Sequence, residues 1–219
     1  MMKTILLLVG VSALVLLTAR CEAKVINMDQ NEIERHQVSW TPPKFCNGLS
    51  CPEYDVVKKT DDYELRRYKQ SKWVSTQLVG IDYGMSAMRT MFMRLFNYIQ
   101  GENVAKQKIP MTCPVTTRFI PGAGPACESN FTMSFYLPNP ASAPTNKDVF
   151  LSELPETLVY VRQFGGYILR FSTWVEEAHK LAAAIGNEKA YHREFFYTAG
   201  YDAPFKLFNR TNEIWFIAK

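Results

Sequence analysis

MSAMRTMFMRLFNYIQG, residues 85–101, carries apolar side chains at helical intervals. Met85, Met88, Phe92, Leu95, Phe96 and Ile99 follow one another at spacings of three, four, three, one and three, and Gly101 stands where a helix C-cap glycine belongs. The spacing predicts an amphipathic helix. On its N-terminal side the period changes to two, in YELRRY (63–68) and WVSTQLV (73–79), and it is two again in residues 109–119 and 131–137 after it. A second helix therefore becomes informative. It is expected to start at Thr173 and Glu176, spaced as a capping box, to place Trp174, Val175, Ala178, Leu181, Ala182 and Ile185 on one face, and to stop at Gly186 and Asn187. Strands are expected before it at 158–164 and 167–171, and after it at 193–199 and 213–218.

The order strand, strand, helix, strand, strand thus occurs twice, with helix centres about 90 residues apart. Each half would bury a helix against an antiparallel sheet. Joined edge to edge, the halves give one α+β unit. The connection at 138–146 is short for a linker between independent domains.

At 100° per residue the first helix gathers Leu95, Met88, Ile99, Phe92, Met85 and Phe96 into an arc of roughly 100°, with Arg89 about 20° beyond it. Two readings of Arg89 stay open. It either snorkels to solvent or clamps an anion at the rim of an apolar cleft. The stretch KIPMTCPVTT (108–117) is odd for a strand, because Pro110 and Pro114 cannot donate ladder hydrogen bonds; they point to an edge or a bulge.

Residues 1–23 hold one early lysine, an apolar run of 13 residues from 5 to 17, and a Cys-Glu-Ala ending of the kind signal peptidase reads. The run is too short to cross a bilayer, which takes roughly 20 residues. A cleaved secretory signal is the expectation. Its loss removes Lys3, Arg20 and Glu22 and shifts the net charge from +4 to +3, a balance that favours no nucleic-acid partner. No second long apolar stretch follows, so no membrane attachment is expected after cleavage. Residues 24–51 read as an N-terminal arm ending in a disulfide loop, and 52–219 as the domain.

Four cysteines remain without Cys21, and in an oxidising compartment an even number is read first as disulfides. The sequence-local pairing, Cys46 with Cys51 and Cys113 with Cys127, is the expected one of three. On chain entropy the first loop would contribute roughly 2 kcal/mol and the second roughly 3 kcal/mol. The spacing fits no zinc finger or ribbon. Asn130 and Asn209 begin sequons and are candidate glycan acceptors.

Signals for catalysis are weak. His36, His179 and His192 have no local partner set, Asp61-Asp62 and Glu176-Glu177 read as a turn and a helix first turn, and Gly165-Gly166 lies between two expected strands rather than ahead of a helix. No catalytic residue or metal site is expected.

Four motifs in order, AMRTMFMRLFNYIQG, KIPMTCPV, RQFGGY and YTAGYDAPFKLFNRTNEIWF, resemble the SOUL heme-binding protein family over residues 52 to 219. The resemblance implies a curved, β-barrel-like antiparallel sheet built from two βαββ-type pseudo-repeats with two flanking helices. It also implies heme or porphyrin, a tetrapyrrole, bound as a ligand in an apolar cleft between the first helix and the loop joining the last two strands. On the matching positions the cleft residues are Arg89, Phe92, Phe96, Met111 and Lys206. Phe92 and Phe96 depart from members with methionine there, and Asn97 from members with lysine, which removes one partner for a propionate. The resemblance makes Cys113 a variable position. The function expected is a secreted, non-enzymatic heme or porphyrin carrier or scavenger; the alternatives are a glycosylated extracellular interaction protein without a tetrapyrrole, and an enzyme acting on one.

Overall fold

The computed structural model describes residues 40–219 apart from 82, 125 and 126; the expected signal segment and residues 24–39 of the arm lie outside the described residues. After a 3-10 turn at Lys44–Cys46 come β1 (Tyr54–Lys59), β2 (Glu64–Tyr68), β3 (Ser71–Gly80), α1 (Met85–Ile99), β4 (Val115–Ile120), β5 (Ser129–Leu137), β6 (Val149–Leu154), β7 (Thr157–Phe164), α2 (Phe171–Ile185), β8 (Phe196–Gly200) and β9 (Asn212–Ile217). Every strand pairing is antiparallel, and the order β1-β2-β7-β9-β8-β4-β5-β3-β6 forms one curled half-barrel sheet.

Two βαββ units, β3-α1-β4-β5 and β7-α2-β8-β9, meet at the β4·β8 pair, where Phe119 stands opposite Phe196. The strand ahead of each unit pairs with the other unit, β2 with β7 and β6 with β3. The halves are therefore interlocked as well as abutted.

Alternation along the strands sorts side chains to two faces. On one face, Val74, Phe131, Met133, Phe135 and Leu137 pack against Met91, Leu95, Tyr98 and Ile99 of α1, while Ile214 and Phe216 pack against Ala178 and Leu181 of α2. Phe119 joins the two layers, touching Phe196 edge-on at 5.2 Å and Phe171 of α2 at 4.8 Å between ring centroids. On the other face Tyr68, Val159, Val161, Ala199 and Trp215 form a third core, into which Trp40, Phe45, Cys46 and Cys51 pack. The disulfide loop that the sequence assigns to an arm is thus part of this core.

At the centre of that third core lies an ion pair sealed from water. Arg66 of β2 donates from Nη1 to Glu213 of β9 at 3.0 Å and to the Tyr68 hydroxyl at 3.1 Å, and from Nε to Glu64 at 2.8 Å. Tyr201 and the indole of Trp215 donate to the second Glu213 oxygen at 2.7 and 2.8 Å. Burial and the nearby Glu213 carboxylate push the Tyr201 hydroxyl well above its ordinary range, so it stays a donor. Arg66 also lies 4.4 Å over the Tyr54 ring, which ties β1 to the network.

Several expectations change. Residues 167–171 are not a strand: Leu169 is 79% exposed and α2 begins at Phe171, two residues ahead of the expected capping box, with Arg170 as an N-cap that makes no side-chain bond. Gly186 does close α2, in the left-handed conformation at φ 66°. The strand expected over 109–119 starts only at Val115, because Pro110 and Pro114 interrupt the ladder; beyond them β4 is an interior strand between β5 and β8, not an edge. β1 and β6, which the alternation did not pick out, supply the two edges.

Cys46 and Cys51 are bonded. Cys113 and Cys127 are not bonded to each other, which corrects the second expected disulfide. Cys113 precedes β4 and Cys127 lies near the far turn of the β4-β5 hairpin, so a strand of six residues, about 20 Å at 3.3 Å each, separates two residues whose Cα atoms must come within about 7 Å. Cys113 is instead buried with its Sγ 3.2 Å from that of Cys51, and burial pushes its thiol up to about 12. Three sulfurs thus cluster. Two of them are spent in the disulfide.

Removing one member of the Arg66 pair strands the other in a dry site. Glu213→Gln is expected to lower the unfolding free energy in urea by about 3–5 kcal/mol, and the double change Arg66→Met with Glu213→Leu by less than either single change. Because the halves exchange strands, melting is expected as one cooperative transition with coincident near- and far-ultraviolet signals. With iodoacetamide the folded protein is expected to label at Cys127 and to label at Cys113 only after unfolding, as read by peptide mass.

Candidate functional site

The fate of α1's apolar residues defines the site. Met91, Leu95, Tyr98 and Ile99 are the buried ones, so the core-facing arc is rotated about 60° from the one expected from periodicity. Tyr98 sets this phase. Its hydroxyl donates to the Ser142 carbonyl at 2.7 Å, and Asn103 donates to the Tyr98 carbonyl at 3.1 Å, fixing the end of the helix. The apolar stripe is consequently wider than the core requires. Met85 is left 80% exposed and Met88 and Met93 41% each, while Phe92 and Phe96 are half-buried.

Phe92 and Phe96 stack at 5.9 Å with an interplanar angle of 16°, and Phe92 rests edge-on against Phe135 at 5.3 Å. Met111 packs on the same core cluster. Arg89, one turn before Phe92 and two before Phe96 on the same ridge, is exposed, and its guanidinium pairs with no carboxylate among the described residues. It borders a depression of about 350 Å³ on the outer flank of α1, with Met93 and Arg94 beside it. Arg94 is already committed to Asp148 at 2.8 Å. The structure therefore stacks Phe92 on Phe96, packs Met111 against the same core cluster, and leaves Arg89 on the surface of α1 beside a depression that none of the three lines.

Lys206 is placed differently. It lies in the loop between β8 and β9, its ammonium bound to Asp202 and within 3.5 Å of Asn47. No contact joins it to Arg89. The loop is held from inside: Asp202 accepts from the Thr211 backbone at 2.6 Å and from Asn47 at 3.0 Å, and Arg210 donates to the carbonyls of Ala203 at 2.7 Å, Lys206 at 2.6 Å and Asp202 at 3.1 Å. Burial acts to raise the Asp202 pKa, but the hydrogen bonds from Lys206, Thr211 and Asn47 outweigh it and hold the carboxyl below its ordinary range. Phe205, Leu207 and Phe208 are then displayed at 86%, 64% and 80% exposure. Asp202, Arg210 and Asn47 escaped the sequence reading, because their partners are backbone carbonyls and a residue 155 positions away.

Residues 108–114 run between the two features. Ile109 donates its amide to the last carbonyl of α1 at 2.8 Å, Met111 packs against the core cluster under α1, and Cys113 donates its amide to the Ser50 carbonyl at 3.0 Å beside the disulfide. The prolines keep this segment out of the sheet, free to make those contacts. Of the sequon asparagines, Asn209 is exposed on the β8-β9 loop, and Asn130 is half-buried in β5 between β3 and β4. His179 is exposed on α2, and His192 stacks on Phe195. Neither lies on α1 or in residues 108–114.

The chain covers 78% of its length in matching human Heme-binding protein 2 at 40% identity over 177 residues, 85% of that protein, and Xenopus laevis Heme-binding protein 1 at 30% identity over 178 residues, 93% of that protein. Among solved structures it is similar to the C-terminal domain of EcmrR, with a TM-score of 0.52 at 10% identity over 76% of this chain and 98% of that one. It is also similar to a hydrolase from Listeria innocua, with a TM-score of 0.53 at 9% identity over 74% and 94%. At such identities these two show the fold alone. The family model described as SOUL heme-binding protein matches residues 49–217, the span that holds the two interlocked βαββ units, and the chain belongs to that family.

Proposed function

We propose that this protein binds heme or a related porphyrin on the exposed ridge of α1 and acts as a secreted, non-enzymatic tetrapyrrole carrier. The observation that carries the reading is the ridge itself. Phe92 and Phe96 form a stacked apolar platform that the core leaves half open, Met111 packs against the same core cluster, and Arg89, one turn away, forms no ion pair among the described residues. A macrocycle laid on the platform would remove apolar surface from water at about 25 cal/mol per Å². Arg89 would meet a propionate by a charge-assisted hydrogen bond. The rigid β8-β9 loop, with Phe205, Leu207 and Phe208 outward, would supply further apolar cover, and Lys206 would reach a propionate only by leaving Asp202. Secretion rests on residues 1–23, and the Cys46–Cys51 bond agrees with it.

Binding by this surface depends little on iron, since no histidine among the described residues is near it. Absorbance titrations with hemin and with iron-free protoporphyrin are expected to give one site each, with dissociation constants within about tenfold, a gap of roughly 1.4 kcal/mol. Arg89→Glu is expected to weaken both by about 2 kcal/mol and His179→Ala to change neither. Binding of hemin without protoporphyrin would show that coordination carries the affinity. If neither binds, the glycosylated interaction protein becomes the reading to pursue, with the displayed β8-β9 loop as its contact surface.

A further inference from the structure

The face of the sheet away from the helices is not filled uniformly. Its β1-β2-β7-β9 half carries the third core, but the half formed by β6, β3, β5 and β4 holds a cavity of about 350 Å³, closed at one side by Tyr197 and Trp215. The register gives its floor. Ser75, Ser134 and Thr116 lie abreast on β3, β5 and β4, and Gln77, Thr132, Arg118, Tyr197 and Trp215 form the next row across five strands. A solvated sheet face would also be polar. Here the floor is shut off from solvent, with Ser75 1% and Thr116 3% exposed, while Gln77, Phe150 and Glu153 stand exposed at the rim. Ser75 bonds the hydroxyls of Ser134 at 2.8 Å and Ser152 at 2.6 Å, so the floor is a connected hydroxyl network.

Arg118 is the cation of this cavity. Its guanidinium rests 4.0 Å over the Phe195 ring, it forms no ion pair among the described residues, and its Nε is buried without a hydrogen-bond partner. A buried donor left unmatched costs stability, and because this Nε is closed to solvent, it is the rest of the guanidinium that a ligand in the cavity would meet. Glu153, the acidic residue of the lining, stands on β6, three strand spacings or about 14 Å from β4, where screening leaves it little influence on an anion at Arg118.

We propose that this cavity is a second binding site, separate from the α1 ridge, for a small aromatic carboxylate carrying hydroxyl groups. A single cation without a cradle of backbone N–H groups selects a monoanion over a phosphate. The terminal nitrogens of a guanidinium free of ion pairs among the described residues offer a carboxylate charge-assisted hydrogen bonds. Trp73, Phe150, Tyr197 and Trp215 provide ring surfaces, and the serine and threonine hydroxyls accept or donate to ring substituents. The volume is at the small end of ligand pockets, suited to one or two rings.

Isothermal titration calorimetry of the folded protein with 4-hydroxybenzoate tests this, with 4-hydroxybenzamide as the uncharged comparison. The acid is expected to bind one to one and the amide at least about tenfold more weakly; Arg118→Gln is expected to erase the difference. Gln77→Trp, at an exposed lining position where folding is not at stake, is expected to block the acid at least tenfold while hemin titrates as before. No heat from the acid at millimolar concentration, equal affinity for acid and amide, indifference to Gln77→Trp, or displacement of the acid by hemin would each overturn the second site.

Discussion

A carboxylate without water must be given its full set of donors, and Glu213 receives them from two strands and a loop. Arg66 comes from β2, Trp215 from β9 itself and Tyr201 from the residue after β8, while Arg66 in turn holds Glu64 and Tyr68 and covers Tyr54. Such a pair adds little net stability over a well-packed apolar one. What it does is fix geometry: with β2 or β9 out of register, the two charges would be buried apart. The third core, the packing of the disulfide loop over it and the start of the β8-β9 loop at Tyr201 all depend on that registration.

The α1 ridge and the β8-β9 loop have opposite origins. The ridge is exposed because a wide apolar stripe meets a core that uses only part of it. The loop is exposed because Asp202 and Arg210 hold it by hydrogen bonds to its own backbone without burying its phenylalanines. Residues 108–114 touch the elements behind both. They serve as a spacer, and proline keeps them from being absorbed into β4.

How much could be read from the sequence varied with the range of the forces involved. The repeat, both helices and seven of the nine strands followed from local periodicity, since alternation and helical spacing are consequences of which side faces a core. The phase of α1 did not, because Met85 and Met88 count the same as Met91 until the Tyr98 bond to Ser142 is known. β1 was missed because five of its six residues are exposed and it has no buried stripe to show. The Arg66 and Glu213 pair, 147 residues apart, has no local signature. Cys113 looked like half of a hairpin disulfide because sequence distance hid the length of β4 between it and Cys127. Arg89, Phe92 and Phe96 were legible as a ridge, whereas the engagement of Lys206 with Asp202 required the folded loop.

The exchange of β2 and β6 between the two units also bears on how the chain is made. As the polypeptide emerges during synthesis, β2 must wait for β7, and Glu64 meets Val161 only after everything up to the second unit has been translated. β7 in turn is flanked by β9, the last strand of the chain. β3 is covered once β6 has been made, but β2 and β4 keep open edges until β7 and β8 of the second unit follow. A protein built this way exposes unpaired strand edges for longer than one whose halves close independently. Its two units are inseparable for the same reason, and cutting between them would leave each with an unpaired strand.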